Sequence, residues 1–246
     1  MMKYQTVFKR YELKYLITTE QKNTILQAIS SYVHPDQYGK TTIRNLYFDT
    51  DNYRLIRRSI DKPEYKEKLR IRSYGKADPD SVVFVEVKKK YKSVVYKRRI
   101  PFSESKAIDW ICNKDQVVVN GQIAREIDYF IDFYGRMRPT VLLSYDREAF
   151  YANDDSNFRI TFDENILCRQ TELSLSSEIY GVPILEPEKV MMEIKCSGGI
   201  PLWMTGILSK ERIYKTSFSK YGTAYRKLVF PGINKKAAET EEDKNA

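Results

Sequence analysis

Histidine occurs once in 246 residues, as His34, and cysteine three times, as Cys112, Cys168 and Cys196. A single imidazole excludes a His-based nucleophilic triad and a histidine-rich zinc site. The odd number of widely spaced thiols forms no paired motif, so reduced cysteines in a cytoplasmic protein are expected. No apolar run approaches membrane-spanning length, and MMKYQTVFKRYELKY lacks the apolar core of a signal peptide, so the expectation is a soluble chain. Acids are scarce in one stretch above all. Between Lys66 and Arg99, twelve basic residues stand against four acids, nearly the whole of the net charge of +9. That balance points to an anionic partner, whether nucleic acid, nucleotide, polyphosphate or membrane surface.

The charges in this stretch are ordered. Side chains on a strand alternate between faces, which puts Lys68, Arg70 and Arg72 on one face and Leu69 and Ile71 on the other. The next strand repeats the pattern, with Glu86, Lys88 and Lys90 opposite Val83, Val85 and Val87. Sparser versions follow: Tyr145 with Arg147, Arg159 with Thr161 and Asp163, and Glu193 with Lys195, each of the last two strands carrying apolar residues on its opposite face.

Along the chain, residues 6 to 17 alternate as a first strand, and TTEQKNTILQAISSYV follows as a helix capped by Thr18 or Thr19 and stopped at His34-Pro35. TIRNLYFDT is a strand and DNYRLIRRSI a short helix or irregular connection. After the basic strands and YKRRIPF, SESKAIDWICN opens on a Ser cap as a helix, and GQIAREIDYFIDFYGRM is a longer one ending at Arg138-Pro139. Strands resume at TVLLSYDREAFY, FRITFDENILCRQ and VMMEIKCSG, and PLWMTGILSKERI and SFSKYGTAYRKL close the ordered part as helices. From Lys235 the polar tail is expected to be disordered. With strands outnumbering helices and no internal repeat or long linker, the chain reads as one α+β domain on a large antiparallel sheet or barrel.

For any one strand, a polar face turned to water is the simpler reading. Across six strands it weakens, because solvated faces mix Lys, Glu, Ser and Thr, whereas here Arg is frequent. Arg presents a planar fork suited to bidentate phosphate contacts. Closing these strands into a barrel would crowd cations that only a dense anion could relieve. Glu12, Glu86 and Glu193 could then set a divalent metal, Mn²⁺ or Mg²⁺, against that anion.

Taken in order, RYELKYLI, NLYFDT, KLRIRSYG, VFVEVKKK, VYKRRIPF, LLSYDREAF, FRITFDENI, VMMEIKCSG and SFSKYG resemble the VTC-type polyphosphate polymerase domain of the triphosphate tunnel metalloenzyme (CYTH-like) superfamily. The resemblance implies an antiparallel β-barrel tunnel with flanking helices over residues 1–232, followed by a polar tail at 233–246. It also implies phosphate ligands at Lys14, Arg70, Arg72, Lys88, Lys97, Arg147, Arg159 and Lys220, hydroxyl donors at Tyr145 and Ser219, and a metal-binding Glu193. For Arg44, Lys90, Arg98 and Arg99, a surface or structural ion pair is the preferred reading. Where the superfamily's triphosphatases carry an ExExK pattern, this chain has Arg10, Glu12 and Lys14, which argues against a two-metal hydrolase and for the VTC-like branch.

The activity implied is transfer of the terminal phosphate of ATP to phosphate or a polyphosphate end, with Arg70, Arg72, Arg147 and Arg159 stabilising the transferred group. The rival readings are a triphosphatase acting on tripolyphosphate or nucleoside triphosphates, and a non-catalytic polyphosphate sensor. Nucleic acid ranks below these because the cations fall on strands expected to be enclosed. A membrane-protein partner is implied by the resemblance alone.

Overall fold

The computed structural model describes residues 6–113 and 120–231. The polar tail at 233–246 lies outside the described residues. Ten strands, β1 (Val7–Thr18), β2 (Val33–Pro35), β3 (Thr41–Asp49), β4 (Tyr65–Tyr74), β5 (Val82–Tyr91), β6 (Val94–Ser103), β7 (Arg138–Ala152), β8 (Arg159–Arg169), β9 (Val182–Pro183) and β10 (Lys189–Cys196), form one sheet. The helices are α1 (Thr19–Ile29), α2 (Arg54–Ile60), α3 (Glu104–Cys112), α4 (Gln122–Tyr134), α5 (Leu202–Lys210) and α6 (Lys220–Ala224), which runs into a π-helical turn, Tyr225–Val229.

The strand order β7-β3-β4-β5-β6-β1-β10-β8 is closed by pairing of β7 with β8, so eight strands make a barrel with every neighbour antiparallel. Closure removes sheet edges. The two short strands β2 and β9 are appended to β7 and β8. β5 and β6 form the tightest hairpin, turning through Lys92 and Ser93, both at positive φ as a two-residue turn between twisted strands requires.

The apolar faces look outward and are covered by helices. Leu69, Ile71, Val83, Val85 and Val87 pack under α3 and α4 through Trp110, Ile111, Ile127 and Phe130. Phe158, Ile160, Phe162, Met192 and Ile194 pack under α1 and α5 through Ile25, Ile29, Met204 and Leu208. A third cluster joins Tyr47, Val141, Leu143 and Tyr145 to Tyr221, Ala224, Tyr225 and Val229, seating the C-terminal segment against β3 and β7. The Asp49 carboxylate, fully buried, accepts from the backbone N–H groups of Leu55 and Ile56 at the start of α2 and from the Tyr221 hydroxyl, so it ties α2 to α6.

Local signals acted as expected at Thr18, which caps α1 in a reciprocal capping box with Gln21. Elsewhere they did not. Ser103 precedes α3 but makes no capping bond, and its Oγ is buried without a partner. The helix before Arg138-Pro139 stops earlier, at Gly135, whose φ of 76° lies where a Cβ is disfavoured, and Arg138 already belongs to β7. Among the described residues, no helix is long and apolar enough to cross a membrane.

Candidate functional site

Because outward positions are apolar, the alternate positions of each barrel strand point inward. They enclose a cavity of about 1010 Å³ that runs from Val82 and Tyr151 at one rim to Lys62, Lys215 and Arg226 at the other. Eighteen Lys or Arg residues line it against three acids, Glu12, Asp36 and Glu193, an excess of cations that sets a positive field inside. All eleven residues singled out from the sequence line this cavity: Lys14, Arg70, Arg72, Lys88, Lys97, Tyr145, Arg147, Arg159, Glu193, Ser219 and Lys220. Of the four set aside as ion pairs, Arg98 pairs with Glu126 on α4 and Arg44 donates to the carbonyls of Leu175 and Ser177. Lys90 and Arg99 instead line the cavity, as do Arg10, Lys66, Lys68 and Lys195.

Two carboxylates with no solvent exposure lie beneath the basic lining. Glu86 receives the Arg70 guanidinium at 2.7 Å and Lys97 at 3.1 Å, with Arg72 at 3.9 Å. Burial would raise its pKa, yet Lys97, Arg72 and Arg70 hold it well below the carboxylate range. Asp163 receives Arg147 Nε at 2.6 Å and Lys220 Nζ at 2.5 Å; burial again opposes ionisation, and Arg147 and Lys220 keep the carboxyl charged. Each acid thereby fixes cations contributed by other parts of the barrel. The expectation of Glu86 as a metal ligand is corrected here: its carboxylate is enclosed by three cations, and among the described residues no group of three or more His, Cys, Asp or Glu side chains could hold a metal.

Glu12 and Glu193 remain as donors. They occupy β1 and β10, where Glu12 lies opposite Lys195 and Lys14 opposite Glu193. Glu12 accepts from Lys88, and Glu193 pairs with Lys195 at 2.9 Å. Burial acts against both charges, and Lys88 for Glu12 and Lys195 and Lys14 for Glu193 outweigh it. Two ionised carboxylates on one wall fit a cation that takes one or two protein carboxylates and fills its shell with phosphate oxygens and water.

Two of the lining lysines donate to neutral oxygens. Lys14 Nζ donates to the Phe218 carbonyl at 2.8 Å and Lys68 Nζ to Ser219 Oγ at 2.7 Å. Burial lowers Lys14 to about 8, with Glu193 opposing. Burial lowers Lys68 well below its ordinary value, and Lys14, Lys88, Lys66 and Arg70 push the same way. Burial also brings Lys97 to about 7 despite Glu86. At Tyr145 burial would raise the phenol, but Arg147 and Arg72 lower it to about 8. Arg159 pairs with Asp36 at 2.9 Å while its buried Nε has no partner.

The C-terminal segment completes the wall. Ser219 is the N-cap of α6, its Oγ accepting from the Gly222 N–H, and Lys220 is the first helical residue. The sequence pattern placed SFSKYG along a helix; the break at Ser219 is what turns both side chains into the cavity.

A closed antiparallel eight-stranded barrel with a cation-lined interior is the fold of the triphosphate tunnel proteins. The chain belongs to the family of the VTC domain, whose model matches residues 9–229. An adenylate cyclase-like protein of Bacillus halodurans superposes with a TM-score of 0.54 at 15% identity, covering 87% of this chain and 96% of that one. An adenylyl cyclase-like protein of Hippeastrum, in which triphosphatase activity dominates, superposes with a TM-score of 0.56 at 16% identity over 89% and 97%. No curated protein matches the chain in sequence.

Proposed function

We propose that this chain is an ATP-dependent, polyphosphate polymerase-like phosphotransferase. The observation that carries this reading is the buried cationic lining, in which burial and neighbouring cations disfavour the charged forms of Lys14 and Lys68, a cost that a polyanion lying against them would relieve. Phosphoryl transfer asks little covalent chemistry of a protein; alignment and charge neutralisation do most of the work.

In this reading Arg70 and Arg147, fixed by Glu86 and Asp163, grip the phosphates in a set geometry together with Arg72, while the unpartnered Nε of Arg159 supplies a further donor. Lys14, Lys88, Lys97 and Lys220 carry the remaining charge, and Tyr145 and Ser219 donate their hydroxyl protons. Because the attacking oxygen belongs to phosphate or a polyphosphate end and is already anionic, no general base is required of the wall. Glu193, with Glu12, would hold Mn²⁺ or Mg²⁺, which would supply charge neutralisation to the phosphates.

The second reading is a triphosphatase, favoured by the activity of the Hippeastrum protein that shares the fold. The departure from ExExK at Arg10 weighs against it by removing a carboxylate. Product analysis separates the two: only a polymerase lengthens chains. Supply of the chain with ATP and Mn²⁺, with products resolved by length, tests the proposal.

A further inference from the structure

The two rims of the tunnel differ in chemistry. At one, Tyr74 ends β4 with half of its surface exposed, its ring set edge-on against the buried Phe84 at 5.9 Å. The Arg99 guanidinium lies 4.5 Å from the Phe84 centroid and 5.2 Å from that of Phe8, and its Nη1 donates to the Tyr74 hydroxyl at 3.4 Å. At the other rim, eight residues back along β4, the wall is lysine: Lys66, Lys68 and Lys90. Deeper along the wall, the lining tyrosines Tyr47 and Tyr221 stack on each other at 4.5 Å and are 5% and 1% exposed.

From this asymmetry we infer that the Tyr74 rim is a nucleoside subsite and that a nucleoside triphosphate enters the tunnel from that end. A base needs a flat, partly exposed partner and a guanidinium plane beside it, both present here; a bare phosphate chain needs hydrated point charges, which lysines supply. The spacing suits the assignment. Arg72 and Arg70 share the inward face of β4 with Tyr74, about 7 and 13 Å along the strand, so a base on Tyr74 places its phosphates beside them. The inference rests on the phosphotransferase reading, because it concerns the nucleotide that reading requires.

The test compares two probes by calorimetry on the full chain: the β,γ-imido analogue of ATP and tripolyphosphate. Tyr74→Ala is expected to weaken the ATP analogue about tenfold or more, the loss of one stacking partner, and to leave tripolyphosphate within about twofold. Tyr74→Phe keeps the ring and both affinities. Lys66→Ala, at the opposite rim, weakens both probes alike. Equal loss of both probes in Tyr74→Ala, or no loss of either, would overturn the nucleoside rim alone; a wild-type chain that takes tripolyphosphate and not the ATP analogue would overturn the ATP-dependent reading with it. Wild-type protein that binds neither probe would overturn the tunnel reading as well.

Discussion

Lys68 Nζ and Ser219 Oγ are 2.7 Å apart across 151 positions of sequence. The bond joins β4 to the segment that crosses the barrel after α5, and it makes the C-terminal residues part of the tunnel wall. Lys220, one residue on, reaches Asp163 on β8. The lining therefore depends on the C-terminal segment as well as on the strands, and Ser219→Ala is expected to cost helix capping, about 1 kcal/mol, together with tripolyphosphate affinity. Thermal unfolding and calorimetry on the same variant read the two effects; full retention of both would detach Ser219 from the site.

Asp163 has no solvent exposure and compensates two cations. In Asp163→Asn the Arg147 and Lys220 charges are left facing one another, a change of the kind that costs about 3–5 kcal/mol. The expected result is a lower melting temperature without ligand and a larger tripolyphosphate-induced rise than in wild type, since the anion replaces the missing charge. An unchanged ligand-induced shift would contradict that role.

Arg70 is fixed by Glu86 and by the Tyr47 hydroxyl. Arg70→Ala is expected to weaken tripolyphosphate binding by about 10-fold to 100-fold, and Arg70→Lys to recover only part of it, because the bidentate fork is lost. Equal affinities for Arg70→Lys and wild type would remove the fork from the argument.

Burial sets Lys14 to about 8 and Lys97 to about 7, below the ordinary lysine value of about 10.4 that the unfolded chain retains. The unfolded state then binds more protons, so without ligand their contribution makes stability rise with pH between about 7 and 10. A bound polyanion favours the charged forms, so these lysines take up protons when it binds near pH 8. Calorimetry in two buffers of different ionisation enthalpy measures this, and uptake is expected to be smaller in Lys14→Arg. Equal proton uptake in both proteins would contradict the assignment.

The barrel was legible where alternation was strict. Val83, Val85 and Val87 opposite Glu86, Lys88 and Lys90 announced which face would be covered by helices. What could not be read was pairing across strands. That Glu86 belongs to Arg70, Arg72 and Lys97 rather than to Glu12 and Glu193 follows from register, which no local pattern carries. Lys90 and Arg99 look like any exposed cation on a strand until the barrel closes around them. The N-cap at Ser219 and the π-helical turn after it were hidden because SFSKYGTAYRKL has the composition of an ordinary helix.

The central claim is that the tunnel transfers phosphate from ATP to a growing chain. Purified protein incubated with ATP and Mn²⁺, its products separated on a polyacrylamide gel stained for polyphosphate, tests it most directly. The account predicts a ladder of long chains that disappears in Glu193→Gln while tripolyphosphate binding persists. Release of phosphate with no ladder, or a ladder undiminished in Glu193→Gln, would contradict it.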